Sequence, residues 1–208
     1  MAVKKKAARP KPKPKAKPKP APKAKTKSKA KAVKKRAPNA MSGEEMMAQW
    51  HAASTPSANH ARLMSMVGTW RATTTFTMAP GAPPQTHEGT SVHRLVLGGR
   101  FLEQVYKGSM MGSPFEGIGY TGYDNVQKRY VGTWMDTMGT GVMSSNGVGR
   151  PTDTRIDCVC EAIEPSGKKR VFESIIRIQD HEHHSYEMWT KDENGKKFRT
   201  MIVEYERG

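Results

Sequence analysis

The sequence predicts an all-β protein, a closed antiparallel barrel of about ten strands that follows one or two short helices and a basic tail. From residue 68 onward, short runs of β-forming residues are separated by Gly, Pro, Asn and Asp at roughly ten-residue spacing. Several runs alternate apolar and polar side chains, and none has a convincing helical period. Ten strands joined by tight turns favour a barrel, because closure removes the unpaired sheet edges.

Residues 1–40 are predicted to form a disordered tail. They contain 17 Lys and Arg, no Asp or Glu and seven prolines, so the formal charge of +16 for the whole chain becomes about −1 for residues 41–208. The tail has no aromatic residue and few apolar ones. It therefore cannot bury enough apolar surface to offset the entropy lost on ordering.

The tail is expected to bind nucleic acid without sequence preference. Its Lys/Pro/Ala repeats resemble linker-histone tails, and a lysine pairs with phosphate without needing base geometry. Another polyanion, or a purely solubilising role, remains an alternative. The predicted contact residues are Lys4, Lys5, Lys6, Arg9, Lys11, Lys13, Lys15, Lys17, Lys19, Lys23, Lys25, Lys27, Lys29, Lys31, Lys34, Lys35 and Arg36.

Neither a signal peptide nor a membrane span is expected. No apolar run of suitable length follows the N-terminal charges, and no stretch of about 18 consecutive apolar residues occurs. The expected location is the cytoplasm, in association with the nucleoid if the host is bacterial. A transit peptide is a weaker alternative, because such segments tend to be Arg-rich and amphipathic.

Residues 41–67 are predicted to be a helical lead-in to the barrel, which would itself span 68–208. Ser42 and Glu45 have capping-box spacing, which predicts a helix over 43–53 with Met46, Met47 and Trp50 near one face. Thr55 followed by Pro56 predicts the start of a second helix, because an N-cap residue precedes a proline at the first helical position. An apolar stripe of Leu63, Met64 and Val67 then ends at Gly68.

The ten predicted strands cover 69–78, 86–97, 101–107, 115–123, 129–138, 141–148, 154–163, 170–178, 184–190 and 197–206. Turn residues such as Gly98–Gly99 and Asn194–Gly195 separate neighbouring runs. In each run, the more apolar set of alternating residues is expected to face inward.

The barrel interior is expected to be mostly apolar. Cys158 and Cys160 share one strand face, and two buried free thiols are the expected interpretation, since that spacing does not suit an unstrained disulfide. Methionines suit an irregular cavity or a plastic core. The inward residues are expected to include Leu95, Leu97, Leu102, Tyr106, Ile156, Ala162, Phe172, Ile176, Ile178 and the methionines 110, 111, 135, 138 and 143.

Three segments closely resemble a known bacterial family: GTW at 68–70, LVLGGRFLEQVYKGSMMGSPFEGIGYTGYDN at 95–125 and YVGTWMDTMGTGV at 130–142. The family is called domain of unknown function 1579, and the resemblance runs over nearly all of 55–206. It implies a calycin-type, lipocalin-like barrel and no established activity. Gly68 and Trp70 also resemble the opening of lipocalins, in which the tryptophan closes the barrel base. The basic tail is not part of the family pattern.

Small barrels often hold one small ligand, so a non-enzymatic binding protein for a small apolar or amphipathic molecule is expected. The candidate pocket residues are His93, Leu95, Tyr106, Met110, Trp134, Met135, Phe172 and Trp189. A structural barrel whose interior is filled by side chains is one alternative. A small-molecule enzyme that uses carboxylates at the barrel mouth is the other, with Glu103, Glu116 and Asp136 as candidates.

No cofactor and no metal site is predicted. Gly117, Gly119 and Gly122 spell GxGxxG, but a strand follows where a dinucleotide site requires a helix. These glycines are expected to relieve crowding where strands bend. His181 and His183 would share a strand face, yet no third ligand is evident.

Overall fold

A computed structural model describes residues 41–208, and the disorder and nucleic-acid contacts predicted for residues 1–40 lie outside the described part. Two helices and a 3₁₀ turn precede the strands: α1 Gly43–Ser54, α2 Ala58–Arg62 and the turn Leu63–Met66. The strands are β1 Gly68–Phe76, β2 Gln85–Val96, β3 Phe101–Met110, β4 Ser113–Asp124, β5 Arg129–Asp136, β6 Met143–Val148, β7 Arg155–Ile163, β8 Lys169–Ile178, β9 His183–Lys191 and β10 Lys197–Arg207.

The described strands form one closed antiparallel barrel in which each strand pairs with its neighbours in the sequence. Closure is made by β1 and β10, which pair from Trp70 with Arg207 to Phe76 with Met201. The predicted fold class is therefore confirmed. Each predicted strand lies within three residues of an observed one at both ends.

The two ends of the barrel differ, and we call them the base and the mouth. The base carries the start of β1 and the connections at 97–100, 125–128, 149–154 and 179–182. The mouth carries the connections at 77–84, 111–112, 137–142, 164–168 and 192–196.

Helix α1 confirms the predicted first helix and its cap. The Glu45 amide donates to Ser42 Oγ at 3.1 Å, and the Ser42 amide donates to Glu45 Oε2 at 2.6 Å. No residue of α1 is buried, and Trp50 is 67% exposed. Its C-terminal end is fixed to the base by Asn125 Nδ2, which donates to the Thr55 carbonyl at 2.7 Å.

The second helix begins later than the Thr55–Pro56 signal predicts. Its N-cap is Ser57, whereas Thr55 is the C-cap of α1. The apolar stripe is also shifted, because Leu63 and Met66 are buried while Met64 is 59% exposed. The reason is the 3₁₀ turn, whose three residues per turn bring i and i+3 to the same face.

The lead-in closes the base of the barrel. Leu63 and Met66 form one buried cluster with Leu102, Tyr130, Ile156, Cys158 and Ile178, which come from β3, β5, β7 and β8. This cluster fills the base end of the barrel interior.

Three residues expected inside the barrel are exposed: Leu97, Met111 and Met138, the last of which lies in the connection after β5. Leu97 and Met111 both have φ of 51° and are 71% and 56% exposed. The strands end at Val96 and Met110, one residue earlier in each case. Each residue therefore lies in a turn, where strand alternation no longer fixes its direction.

Candidate ligand cavity

The barrel encloses a cavity of about 330 Å³ between the base and the mouth. Met66 of the lead-in lines it at the base. Met138, which lies in a mouth connection and is 61% exposed, lines it at the other end. The cavity is therefore closed at the base and reaches the surface at the mouth.

Most of the wall is apolar. Six methionines line it, together with aromatic rings from β4, β5 and β8. Unbranched thioethers adapt to irregular shapes, so this wall accommodates a range of apolar guests. The members are Met66, Met110, Met138, Met143, Met188, Met201, Phe115, Trp134 and Phe172.

The glycines of the GxGxxG segment make room for aromatic rings. A Cβ on Gly117 would come within 2.6 Å of Trp134 Cη2, and one on Gly119 would come within 2.8 Å of Trp134 Cε3. Trp134 therefore lies flat against β4 on the cavity side. On the outer face, a Cβ on Gly122 would collide in the same way with the ring of Phe101. The crowding that these glycines relieve is that of rings on neighbouring strands.

One side of the cavity carries a hydrogen-bonded polar network, which we call the polar wall: Ser91, His93, Gln104 and Tyr205. His93 Nδ1 lies 3.1 Å from the Met66 carbonyl oxygen, and His93 Nε2 lies 2.9 Å from Ser91 Oγ. Gln104 Nε2 donates to Ser91 Oγ at 3.2 Å and to Tyr205 Oη at 2.8 Å. Burial lowers the pKa of His93 to about 4, so this imidazole is neutral at pH 7.

His184 lies beside the polar wall without joining it. Its ring stacks on Tyr205 with centroids 4.2 Å apart and meets Trp70 edge-on at the same distance. Both ring nitrogens are buried without a hydrogen-bond partner among residues 41–208. Burial, with the nearby His93 and Arg207, lowers the pKa of His184 to about 3. The imidazole is therefore neutral as well.

The two cysteines are buried and free, as predicted. Cys160 Sγ lies 3.1 Å from Ser174 Oγ and 3.6 Å from the Tyr186 hydroxyl. Burial raises the pKa of the Cys158 thiol to about 12. A protonated thiol is a poor nucleophile and a poor metal ligand, so Cys158 acts as a small apolar residue.

The three candidate carboxylates do not converge. Asp136 lines the cavity near the mouth, where its Oδ2 accepts from Trp134 Nε1 at 2.7 Å. Glu103 faces outward and pairs with Arg94, which lowers the pKa of this carboxyl, and it also accepts from the Tyr120 hydroxyl at 3.0 Å. Glu116 is exposed and pairs with Lys107. Within residues 41–208, Asp136 is the only carboxylate of the cavity wall.

The histidine cluster before β9 does not gather ligands for a metal. His183 Nδ1 lies 3.0 Å from Asp180 Oδ1 on the surface. The part of the chain that the structure describes contains no group of three or more His, Cys, Asp or Glu side chains that could hold a metal ion.

Five of the eight candidate pocket residues line the cavity: His93, Tyr106, Met110, Trp134 and Phe172. The other three lie elsewhere. Leu95 packs against the base cluster, and Met135 follows the inward Trp134 on β5 and so lies on the outer face. Trp189 also lies outside, where its Nε1 donates to Glu187 Oε2 at 3.0 Å and Lys197 Nζ lies 5.5 Å from its ring.

Sequence reasoning missed several cavity residues, chiefly Gln104, His184, Met188, Met201 and Tyr205. Alternation from Tyr106 on β3 would have identified Gln104. On β10 the signal is interrupted, because the register with β9 shifts between Arg199 and Met201 at a bulge. No local pattern marks such a bulge.

The fold and the cavity define a ten-stranded antiparallel β-barrel protein with one mainly apolar interior site in the described residues. The model of the family described as "Protein of unknown function (DUF1579)" matches residues 55–207. The chain belongs to this family. No curated protein matches it.

Seventeen solved protein chains match this one, among them the two that follow. The crystal structure of Rv2717c from M. tuberculosis has 17% sequence identity and a TM-score of 0.56, and the match covers 74% of this chain and 99% of that one. This likeness shows the barrel fold. A redesigned β-barrel, b11L5F_LGL, has 14% identity over the same shares of the two chains, and its TM-score of 0.38 is too low to support an argument.

Among the described residues, no helix has both the length and the apolar character needed to cross a membrane.

Proposed function

We propose that residues 41–208 form a non-enzymatic, lipocalin-like carrier that holds one small apolar or amphipathic molecule in the barrel. The observation that carries this proposal is the cavity of about 330 Å³, closed at the base by Met66 and open at the mouth beside Met138. Small-molecule sites are typically concave, mostly apolar and about 300–1,000 Å³ in volume, with a few placed polar groups. The cavity has each of these properties.

The cavity favours a carrier over the two alternatives. A barrel that serves only as a structural element can fill its interior with side chains, and about 330 Å³ of unfilled volume argues against that role. Hydrolysis by paired carboxylates needs two acids near one reacting bond. Asp136 has no second acid beside it on the cavity wall among residues 41–208.

Native mass spectrometry of protein purified from its host tests the carrier role. We expect a mass increment from one non-covalently bound small molecule. We also expect the melting temperature to rise with at least one member of a panel of lipids, haem and metabolites, because a ligand that binds only the folded state stabilises it. An apo mass together with no melting shift across the panel would refute the carrier role.

We propose that the tail anchors the carrier to nucleic acid or another polyanion, in the cytoplasm and on the nucleoid if the host is bacterial. The support is compositional, since 17 basic residues and no acidic ones occupy residues 1–40. Such a segment binds phosphates by charge alone, and its affinity falls steeply with salt.

Binding of duplex DNA by the full chain and by residues 41–208 alone tests the anchor. If the tail neutralises roughly eight phosphates, the logarithm of the association constant falls with a slope of about −7 against the logarithm of salt concentration. The truncated protein, with a formal charge near −1, should lose retention at all salt concentrations. Equal retention of the two proteins would contradict the proposal.

A further inference from the structure

The polar wall of the cavity has a defined hydrogen-bond direction. The Met66 carbonyl oxygen can only accept, so His93 Nδ1 carries the proton of this contact. In a neutral imidazole Nε2 is then the acceptor, so the Ser91 hydroxyl donates a hydrogen bond to it. Ser91 Oγ in turn accepts from Gln104 Nε2, whose other N–H donates to Tyr205 Oη. The direction of every bond follows from the carbonyl at one end.

At the other end of this network, one donor and one acceptor have no hydrogen-bond partner among residues 41–208. The Tyr205 oxygen accepts from Gln104, so the Tyr205 hydroxyl proton is free to donate. Both amide protons of Gln104 are used, which leaves its Oε1 as a free acceptor. Neither group has a protein partner within residues 41–208, and both residues line the cavity. A guest that filled the cavity without pairing these two groups would strip them of water and leave them unsatisfied, so this pair favours a guest that satisfies both.

The electrostatics of the wall select against a charged head group. Among the described residues that line the cavity, none is Lys or Arg, and Asp136 is the single acid. His93 and His184 are neutral. A carboxylate or phosphate at Gln104 would lose its hydration without gaining a countercharge. A cation could approach Asp136, but that residue lies at the mouth end of β5.

Apolar side chains also line the cavity on the mouth side of this donor and acceptor pair. Met110 ends β3 six residues beyond Gln104, about 20 Å along the strand at ~3.3 Å per residue. Phe115, Met138 and Met143 line the same end of the cavity. A guest whose head meets Gln104 would therefore place its apolar body among these side chains.

We propose that the cavity selects a neutral amphipathic molecule whose head group both donates and accepts a hydrogen bond, such as an alcohol or a primary amide, with the head on Gln104 and Tyr205. The proposal rests on the carrier function above and specifies the chemical class of its ligand. Head recognition is assigned to the network that ends at these two residues, and retention of the apolar body to the methionines and aromatic rings.

The test compares four probes with the same chain length: 1-octanol, octanamide, octanoate at pH 8, and octane. Dissociation constants are measured with the full chain by calorimetry or by melting shift. We expect 1-octanol and octanamide to bind at least tenfold more tightly than octanoate, and more tightly than octane. Equal binding of octanoate and 1-octanol would overturn the proposal.

Tyr205→Phe keeps the ring that stacks on His184, and it removes the free donor together with the oxygen that accepts from Gln104 Nε2. We expect it to weaken 1-octanol binding about five- to tenfold, the range expected for one hydrogen bond, and to leave octane binding unchanged. Tyr186→Phe is the matched control, because it removes a hydroxyl from another part of the same cavity. Its effect on 1-octanol binding should be less than twofold.

Gln104→Leu removes the free acceptor. Like Tyr205→Phe, it should weaken 1-octanol binding about five- to tenfold and leave octane binding unchanged. If 1-octanol binds but neither Tyr205→Phe nor Gln104→Leu weakens it, the assigned head site is wrong while the carrier function stands. If none of the four probes binds wild-type protein, the octyl series contradicts the ligand class, and the native mass measurement decides separately whether the barrel carries any guest.

Discussion

A single carbonyl group joins the lead-in to the barrel at the residue scale. The Met66 carbonyl oxygen accepts from Trp70 Nε1 at 2.9 Å and from His93 Nδ1, which uses both of its lone pairs. Trp70 is fully buried, and the Arg207 guanidinium lies 4.3 Å from its ring. Trp70 of the GTW segment thus lies at the base. It contacts Met66, just before the first strand, and Arg207, at the end of the last strand.

The two buried histidines that line the cavity, His93 and His184, make stability depend on pH. Their pKa values of about 4 and about 3 lie below that of an unfolded histidine, near 6.5. Between these values the unfolded chain binds protons that the native protein does not, so the free energy of unfolding falls as pH falls. Each histidine contributes a slope of roughly 1 kcal/mol per pH unit over the window from about 6 to 4.5.

His184→Phe should reduce this pH dependence. The phenyl ring can keep the stack on Tyr205, and the substitution removes the proton uptake and two unpaired nitrogens. We expect the slope between pH 6 and pH 5, measured by urea unfolding, to fall by roughly 1 kcal/mol per pH unit, with no loss of stability at pH 7.5. His51→Gln, at an exposed position on α1, should leave the slope unchanged. An unchanged slope in the His184 variant would contradict the assignment.

At the scale of elements, the pair β4 and β5 is built around a tryptophan that lies over two glycines. Gly119 pairs with Trp134 in the register, and Gly117 pairs with Asp136, which accepts from the Trp134 indole. The two glycines and the hydrogen bond to Asp136 therefore hold the Trp134 indole in one position, flat against β4 on the cavity side. The three glycines of the segment serve packing on both faces of β4.

Gly117→Ala should destabilise the barrel by about 1–3 kcal/mol, the usual cost of overpacking. The new methyl group would overlap the indole and push Trp134 toward the cavity. Thermal and urea unfolding measure the cost, and quenching of tryptophan fluorescence reports the displaced ring. Gly139→Ala is the control, since its Cβ would meet nothing nearer than 3.9 Å. Similar effects of the two substitutions would show that the ring is not confined as described.

At the scale of the whole molecule, the barrel depends on the lead-in for its core. Leu63 is fully buried against residues of β3, β5, β7 and β8, whereas the adjacent Met64 is 59% exposed. Segments distant in the sequence therefore share one cluster at the base. The lead-in and the strands should unfold together.

Leu63→Ala should cost about 2–5 kcal/mol, because it removes buried methyl groups and leaves a void at the base. Met64→Ala should change the free energy of unfolding by less than about 0.5 kcal/mol. Equilibrium urea unfolding of both variants, followed by tryptophan fluorescence and circular dichroism, provides the comparison. Coincident transitions for the two probes are expected. A small effect of Leu63→Ala would mean that the barrel closes without the lead-in.

The sequence predicted the strands well because their signals are local. Turn residues and two-residue alternation mark each strand, and the capping box of Ser42 and Glu45 marks α1. The candidate site was predicted only in part. Trp189 is an aromatic residue in a strand, but whether it faces the cavity depends on the register of β9 with β10. Leu97 belongs to an apolar run, yet its strand ends one residue before it.

The sequence alone determined the all-β class, the number and order of the strands, the family and the segregation of positive charge into residues 1–40. These properties depend on composition and short-range pattern. Only the tertiary structure decided the register of β1 with β10, the side chains that close the base, the open cavity and the polar wall. Gln104 and Tyr205 are 101 residues apart in the chain and share a hydrogen bond of 2.8 Å. Such contacts form only when the barrel closes, because closure brings β3 and β10 to the same cavity.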